Sequence, residues 1–317
     1  MTRGPSFHGK GMMYLVVLCF LIPPQLRPQG SFSALEIPYH VRSLSMSATG
    51  VADAMGMDIS GTNPALLFSG SGGPGGGSAL LLSLIRYPAQ VQSEMVEWRL
   101  PLGRGRGAVS VRHVGYGVFD DRDEGGVKTG QFSAGDTWFS VALAQRMLTR
   151  VDVGATGGFF FSQIEDVTAT LGLLTLGTAL HIPQIDATLG LSVRNLGVTL
   201  NSYTAYKEVI PTSLNLGATK KLAHLPLTIS LDGVWWHGED RSRVRMGGEF
   251  VFPYGIFLRW GVSSYRFDQK TNNLWRDVAT GTSLGLAYRS RNLTMDVGLQ
   301  YTGVAGTAIG IGVSTSL

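Results

Sequence analysis

Leu293-Thr294-Met295-Asp296-Val297-Gly298-Leu299-Gln300-Tyr301 decides the fold. Leu293, Met295, Val297, Leu299 and Tyr301 share one face, and Thr294, Asp296, Gly298 and Gln300 the other. The last stretch repeats the pattern: Ile309, Ile311, Val313, Thr315 and Leu317 stand against Ala308, Gly310, Gly312, Ser314 and Ser316. A period of two puts alternate side chains on opposite faces of a strand. Read back towards Ser78, the same alternation recurs in about fourteen segments of roughly ten residues, as in a barrel with one face to lipid and the other to its lumen. The expected strands are 78–87, 91–101, 107–119, 136–148, 151–163, 168–181, 184–195, 213–221, 226–236, 243–251, 255–264, 282–290, 293–301 and 308–317. The fold class is therefore all-β, a transmembrane antiparallel β-barrel of about 14 strands with an N-terminal plug segment.

Composition agrees. Charged residues are 15% of the 317, against roughly 25% in soluble domains. Gly accounts for 43 residues, about twice ordinary usage. No apolar run after residue 40 approaches the ~20 residues of a spanning helix. A strand-built membrane protein must close on itself, because lipid offers no partner to backbone polar groups.

The connections sort by length. With the N-terminus on the periplasmic side, the long connections 120–135, 196–212 and 265–281 all fall outside, and short turns such as Thr149-Arg150 and Arg291-Asn292 fall inside, the asymmetry of outer-membrane barrels. Charges sort too. Acidic Asp120-Asp121-Arg122-Asp123-Glu124, Glu165-Asp166 and Glu239-Asp240 lie outside; Arg104, Arg106, Arg150, Lys221, Arg289 and Arg291 lie near inner turns. Tyr87, Trp138, Trp235, Tyr254, Trp260, Tyr265 and Tyr288, near strand ends, read as interfacial girdles.

Ahead of the barrel, residues 1–33 read as a secretory signal. Arg3 and Lys10 are its basic region, Met12 to Ile22 its apolar core, and Pro23-Pro24 its end. Ser31 and Ser33 suit cleavage after Ser33, with Ala34 a rival site. The only cysteine, Cys19, sits within the apolar core, so the mature chain carries no thiol. Residues 34–77 form a plug segment and a Gly-rich connector. The segment 41–68 is too short for a domain and too apolar for a solvated tail, so it folds into the lumen. Asp53, Asp58, Asn63 and Pro64 are the lumen candidates, Asn63-Pro64 starting a turn that seats Leu66 to Phe68 on the wall. Gly70 to Gly77 has no following Lys-Ser/Thr and is a hinge, not a phosphate-binding loop.

Catalytic chemistry is missing from the pattern. His113, His181, His224 and His237 are scattered, without metal spacing, and no Gly-x-Ser-x-Gly elbow occurs. The chain reads as non-enzymatic, with no metal and no cofactor. Gly103-Arg104-Gly105-Arg106-Gly107 is a basic turn, and no nucleic-acid partner is expected.

The run Arg42…Gly50-Val51-Ala52…Asp58…Asn63-Pro64-Ala65-Leu66 resembles the N-terminal signature of the PorV/PorQ family, relatives of the FadL-type fatty-acid channels. Val193-Arg194-Asn195-Leu196-Gly197 is similar to that family's Asn-Leu-Gly strand end. Tyr116-Gly117-Val118-Phe119, Gly130-Gln131-Phe132-Ser133-Ala134-Gly135-Asp136 and Lys220-Lys221-Leu222-Ala223-His224-Leu225-Pro226 resemble its PorQ branch. The resemblance implies an outer-membrane component of a type IX secretion system in a diderm bacterium. Its partners would be outer-membrane lipid, surface-exposed secretion or attachment proteins, and cargo with C-terminal sorting domains. Docking candidates in the outer loops are Tyr116, Phe119, Asp123, Glu124, Phe132, Tyr203, Tyr206, Tyr265, Phe267 and Trp275. The alternative is a FadL-like channel for a hydrophobic small molecule, which needs a greasy pocket and a lateral or plug-side exit. The expected lumen faces are mainly Gly, Ser, Thr and Asp, with Phe160, Leu174 and Leu176 as inward apolar candidates. A plain structural barrel is the third class.

Overall fold

The computed structural model describes residues 31–69, 77–239, 241–267 and 273–317. The expected signal sequence up to residue 30 and most of the Gly-rich connector lie outside the described residues. Among the described residues fourteen strands run in chain order: β1 Ala79–Arg86, β2 Gln92–Leu102, β3 Gly105–Arg122, β4 Lys128–Leu148, β5 Val151–Ile164, β6 Val167–Ile182, β7 Ala187–Asn201, β8 Ser213–Lys221, β9 Leu227–Trp236, β10 Ser242–Phe252, β11 Ile256–Ser263, β12 Thr282–Ser290, β13 Leu293–Tyr301 and β14 Thr307–Ser316. Each pairs antiparallel with its neighbours, and β1 pairs with β14 from Ala79↔Ser316 to Arg86↔Ile309, closing the barrel. No helix is long and apolar enough to cross a membrane.

The alternation that decides the fold is realised side chain by side chain. On β13 and β14, Met295, Val297, Ile309 and Ile311 face outward and exposed, while Thr294, Asp296, Ala308 and Ser314 are buried inward. Phe160 is also inward, as expected, but Leu174 and Leu176 are on the exposed outer face, because Leu171, Leu173 and Thr175 hold the inward parity of β6. The aromatic girdle is partial. Trp235, Tyr254 and Tyr288 are exposed, and Trp260 shares the outward parity of Ile256. Trp138 is instead 2% exposed beneath the Arg112 guanidinium, 4.8 Å from its ring, and the Tyr87 hydroxyl donates to Pro38 O at 2.8 Å inside the barrel.

The first of the long expected loops, 120–135, is a β-hairpin. β3 and β4 continue beyond the expected ends and meet in a tight turn at 123–127, where Asp123 Oδ1 accepts from Val127 N at 2.9 Å and Gly126 takes a φ of 80°. The remaining long connections are 202–212 and 264–281, at the same barrel end as the hairpin; the latter contains a short helix, Leu274–Ala279.

Residues 31–69 lie inside the barrel. Ser31 N donates to Val209 O at the long-connection end, and Ser69 meets Asp152 and His181 at the turn end, so the segment threads the lumen lengthwise. It contains three short helices: α1 Val41–Ser45, α2 Ile59–Thr62 and α3 Leu66–Ser69. The His40 side chain caps α1 by accepting from Arg42 N at 3.0 Å. The glycine excess has a use here. The wall facing the segment is paved with Gly285, Gly298, Gly310 and Gly312 beneath Val41 and Ser45, and with Gly154 and Gly177 beneath Asn63-Pro64. A side chain at any of these positions would occupy space the segment fills.

Candidate functional site

Two kinds of site are built on this frame: a polar clamp in the lumen and a cavity at the mouth. The clamp contains all four lumen candidates. Arg42 on α1 pairs with Asp53, and its Nε donates to Glu249 of β10 at 3.2 Å. Glu249 also accepts from Arg259 Nε at 2.5 Å, and Arg259 pairs with Asp296. Asp58 accepts from Tyr39 N at 3.3 Å and forms an ion pair with Arg112 at 2.9 Å. Glu97 takes the Ser60 hydroxyl and Arg99 Nε, the latter at 2.7 Å. Asn63 spans the gap between segment and wall. Its amide donates to Val51 O at 2.7 Å and Thr178 O at 3.0 Å, while its oxygen accepts from Ala65 N. Pro64 sits over Gly154 and Gly177. The lumen face is thus far more charged than the expected Gly, Ser, Thr and Asp, and in this clamp Arg42, Arg99, Arg112 and Arg259 each meet a carboxylate. Burial pushes the His40 imidazole down to about 4, so it sits neutral in this surrounding.

Ser69, Asp152 and His181 come together at the turn end, but they form no nucleophile relay. His181 Nε2 faces both Ser69 Oγ, at 2.9 Å, and Asp152 Oδ2, at 2.8 Å. A relay needs the carboxylate on one ring nitrogen and the hydroxyl on the other. With Arg146 Nε 2.7 Å from Asp152, the group is a clasp on the end of the inner segment.

The mouth cavity, about 470 Å³, is formed by the start of the inner segment, the β3–β4 hairpin, the end of β5 and the 202–212 connection. Phe32, Tyr116, Phe119, Phe132, Ile164 and Tyr203 give it an aromatic and apolar lining. Phe32 packs edge-on against Phe160 at 5.4 Å, and Phe119 stacks on Phe132 at 5.4 Å. Polar groups cluster at one side: the Tyr116 hydroxyl donates to Asp136 at 2.6 Å, and Tyr203 bonds Ser162. Burial raises the Tyr203 phenol above its ordinary range, keeping it a neutral donor. Beside the cavity the β3–β4 ladder shifts register between Gly115 and Val118, leaving Tyr116 and Gly117 out of the pairing.

The loop candidates therefore divide. Tyr116, Phe119, Phe132 and Tyr203 converge on one cavity. Tyr265 lies in a second one, under the Arg243 guanidinium at 4.8 Å. Asp123 and Glu124 are exposed on the hairpin turn, and Tyr206 and Trp275 stand 85% and 82% exposed. The Phe267 side chain lies outside the described residues. Phe32, inside the expected signal 1–33, was no candidate in the sequence, yet its ring lines the same cavity.

The chain is similar in structure to the toluene transporter TbuX of Ralstonia pickettii, at 12% identity and a TM-score of 0.59, covering 88% of this chain and 98% of that one. The fold is that of the FadL-type channels. The toluene transporter TodX of Pseudomonas putida matches at 11% identity and 0.60, over 88% and 97% of the two chains. A FadL homologue of Pseudomonas aeruginosa matches at 10% and 0.56, over 88% and 99%. No protein-family model matches the chain, and no curated protein matches it in sequence.

Proposed function

We propose that the chain is a non-enzymatic outer-membrane channel for hydrophobic small molecules, with residues 34–69 as the plug of its lumen and the mouth cavity as its first binding site. The aromatic cavity carries this reading. Its volume lies within the range of small-ligand pockets, and its apolar lining with a few convergent hydroxyls suits a compact aromatic or aliphatic solute. The outward rows of Leu, Val and Ile on every strand suit a lipid surround, and the long connections mark the external end. The ion-paired interior disfavours an axial route for an apolar solute, since opening it would strip partners from buried charges. The β-bulge at Tyr116-Gly117, two residues opposite Ala134, adjoins the cavity and is the weakest point of this wall for a sideways exit.

The likeness to toluene transporters favours this channel over the secretion-platform reading. A surface secretion or attachment partner, if the barrel has one, would meet Tyr206 and Trp275, the exposed aromatics of the long connections. The test of the channel is uptake of labelled toluene by a diderm host lacking a monoaromatic channel. Expression of the chain should accelerate uptake, and Phe132→Asp, in the cavity lining on β4, should remove the gain while the barrel still inserts. Uptake equal to that of the empty host would end this reading.

A further inference from the structure

A second cavity at the same end of the barrel has the opposite chemistry. It measures about 790 Å³ and lies between the inner segment and the outer ends of β10 to β13. It shares only Ser33 with the aromatic cavity. Arg241, Arg243 and Arg245 line it, with Glu36 the single lining carboxylate among the described residues. Glu36 is already committed: its two oxygens accept from Arg241 at 2.6 and 2.8 Å, and Arg241 Nε donates to Glu239 at 2.8 Å.

Arg245 is the informative residue. It is 5% exposed and makes no ion pair among the described residues. One terminal nitrogen donates to Ala48 O at 3.1 Å, and its buried Nε has no hydrogen-bond partner. Asp232 faces it across the β9–β10 ladder; its Oδ2 is taken by the amides of Gly50 and Val51, at 2.7 and 3.1 Å, and its buried Oδ1 has no hydrogen-bond partner among the described residues and forms no ion pair with Arg245. A buried guanidinium with an unspent donor is costly unless something accepts from it. Gln300, Tyr301 and Ser263 add polar groups around the same space.

We infer that this cavity is an oxyanion site, taking a phosphate group on the Arg245 fork. A planar fork and a tetrahedral oxyanion are matched donors and acceptors. The inference is independent of the channel reading, since it uses other residues and another ligand chemistry.

The test uses the full chain in a neutral maltoside detergent with inorganic phosphate, followed by phosphorus NMR line broadening. Saturable binding is expected, weakened about tenfold or more in Arg245→Gln. Arg122→Gln, on the exposed hairpin, should bind as the unaltered chain does. Thr302→Trp, at another position of the same lining, narrows the cavity and gives the same loss if Arg245→Gln fails to fold. Dodecyl phosphate separates the sources: competition with inorganic phosphate supports the head of an amphiphile as ligand, and its absence supports a free anion. Unsaturable binding, or binding unchanged in both cavity variants, overturns the site.

Discussion

Gly190→Ala tests whether the inner segment is packed against a wall shaped for it. Gly190 faces the lumen from β7, and a Cβ there would stand 2.6 Å from Val51 C and 3.0 Å from Ala52 Cα, with the Val51 carbonyl oxygen nearer still. These are backbone atoms, so no side-chain rotation relieves the overlap. Ordinary contact begins near 3.4 Å, so Val51 C must retreat by about 0.8 Å and its carbonyl oxygen by more than about 1 Å. That retreat stretches three bonds that now hold it: Gly50 N to Asp232 at 2.7 Å, Val51 N to Asp232 at 3.1 Å, and the Asn63 amide to Val51 O at 2.7 Å. The Val51 N bond and the Asn63 bond to Val51 O pass out of range, and the Gly50 bond reaches its edge. Overpacking at about 1–3 kcal/mol and one lost charge-assisted bond at about 1.5–3 kcal/mol put the total near 2–4 kcal/mol once partial relaxation is allowed. The control is Gly172→Ala on the outward face of β6, whose Cβ meets Val198 at an unstrained 3.7 Å. The assay is denaturant unfolding of the refolded barrel, read with bilayer conductance, since a displaced segment should also raise ion leak. Equal midpoints and equal leak for the two variants would refute the packing argument.

Two further outcomes follow from the lumen charges. Arg42→Ala leaves Asp53 and Glu249 buried with fewer partners and should cost about 3–5 kcal/mol in the same unfolding assay, whereas Arg122→Ala, in a solvent-exposed pair with Asp120, should leave the midpoint in place. His40 is held near 4 in the folded chain, below its ordinary 6.5, so the unfolded chain binds its proton first as pH falls. Its contribution is complete above about pH 6.5 and shrinks towards pH 4. His40→Asn should flatten that part of the stability curve, and an unchanged slope would count against a neutral buried His40.

The strands were legible because lipid imposes a strict requirement on every second residue: Met295, Val297, Ile309 and Ile311 have no alternative to facing outward. Where lipid stops, so does the signal. The outer ends of β3 and β4 carry Asp120, Asp121, Gly130 and Gln131, which give no apolar row, yet the ladder continues and turns an expected loop into a hairpin. Trp138 misled for a related reason. Aromatics near strand ends suit either interface or lumen, and only its parity with Asp136, Ser140 and Ala142, all buried inward, settles the side. The inner segment was legible as a segment that must be buried, and Asp53, Asp58 and Asn63 as its polar anchors. Their partners were not, because Arg42 meets Glu249 and Asn63 meets Thr178 only after the barrel has closed. Tyr116 and Tyr203 share a cavity through the same long-range closure, whereas loop position alone suggested independent exposed contacts.

The cluster of Val41, Leu44, Ile85 and Ala308 straddles the seam where β1 meets β14. Closing that seam joins the first and last strands of the chain, the contact with the largest loop to organise and so the slowest to find by search. Val41 and Leu44 precede both strands and touch both, so the inner segment bridges the seam from within. Parting the wall along this line uncovers their apolar contact as well as two strand edges, so opening the cylinder and loosening its filling share one cost.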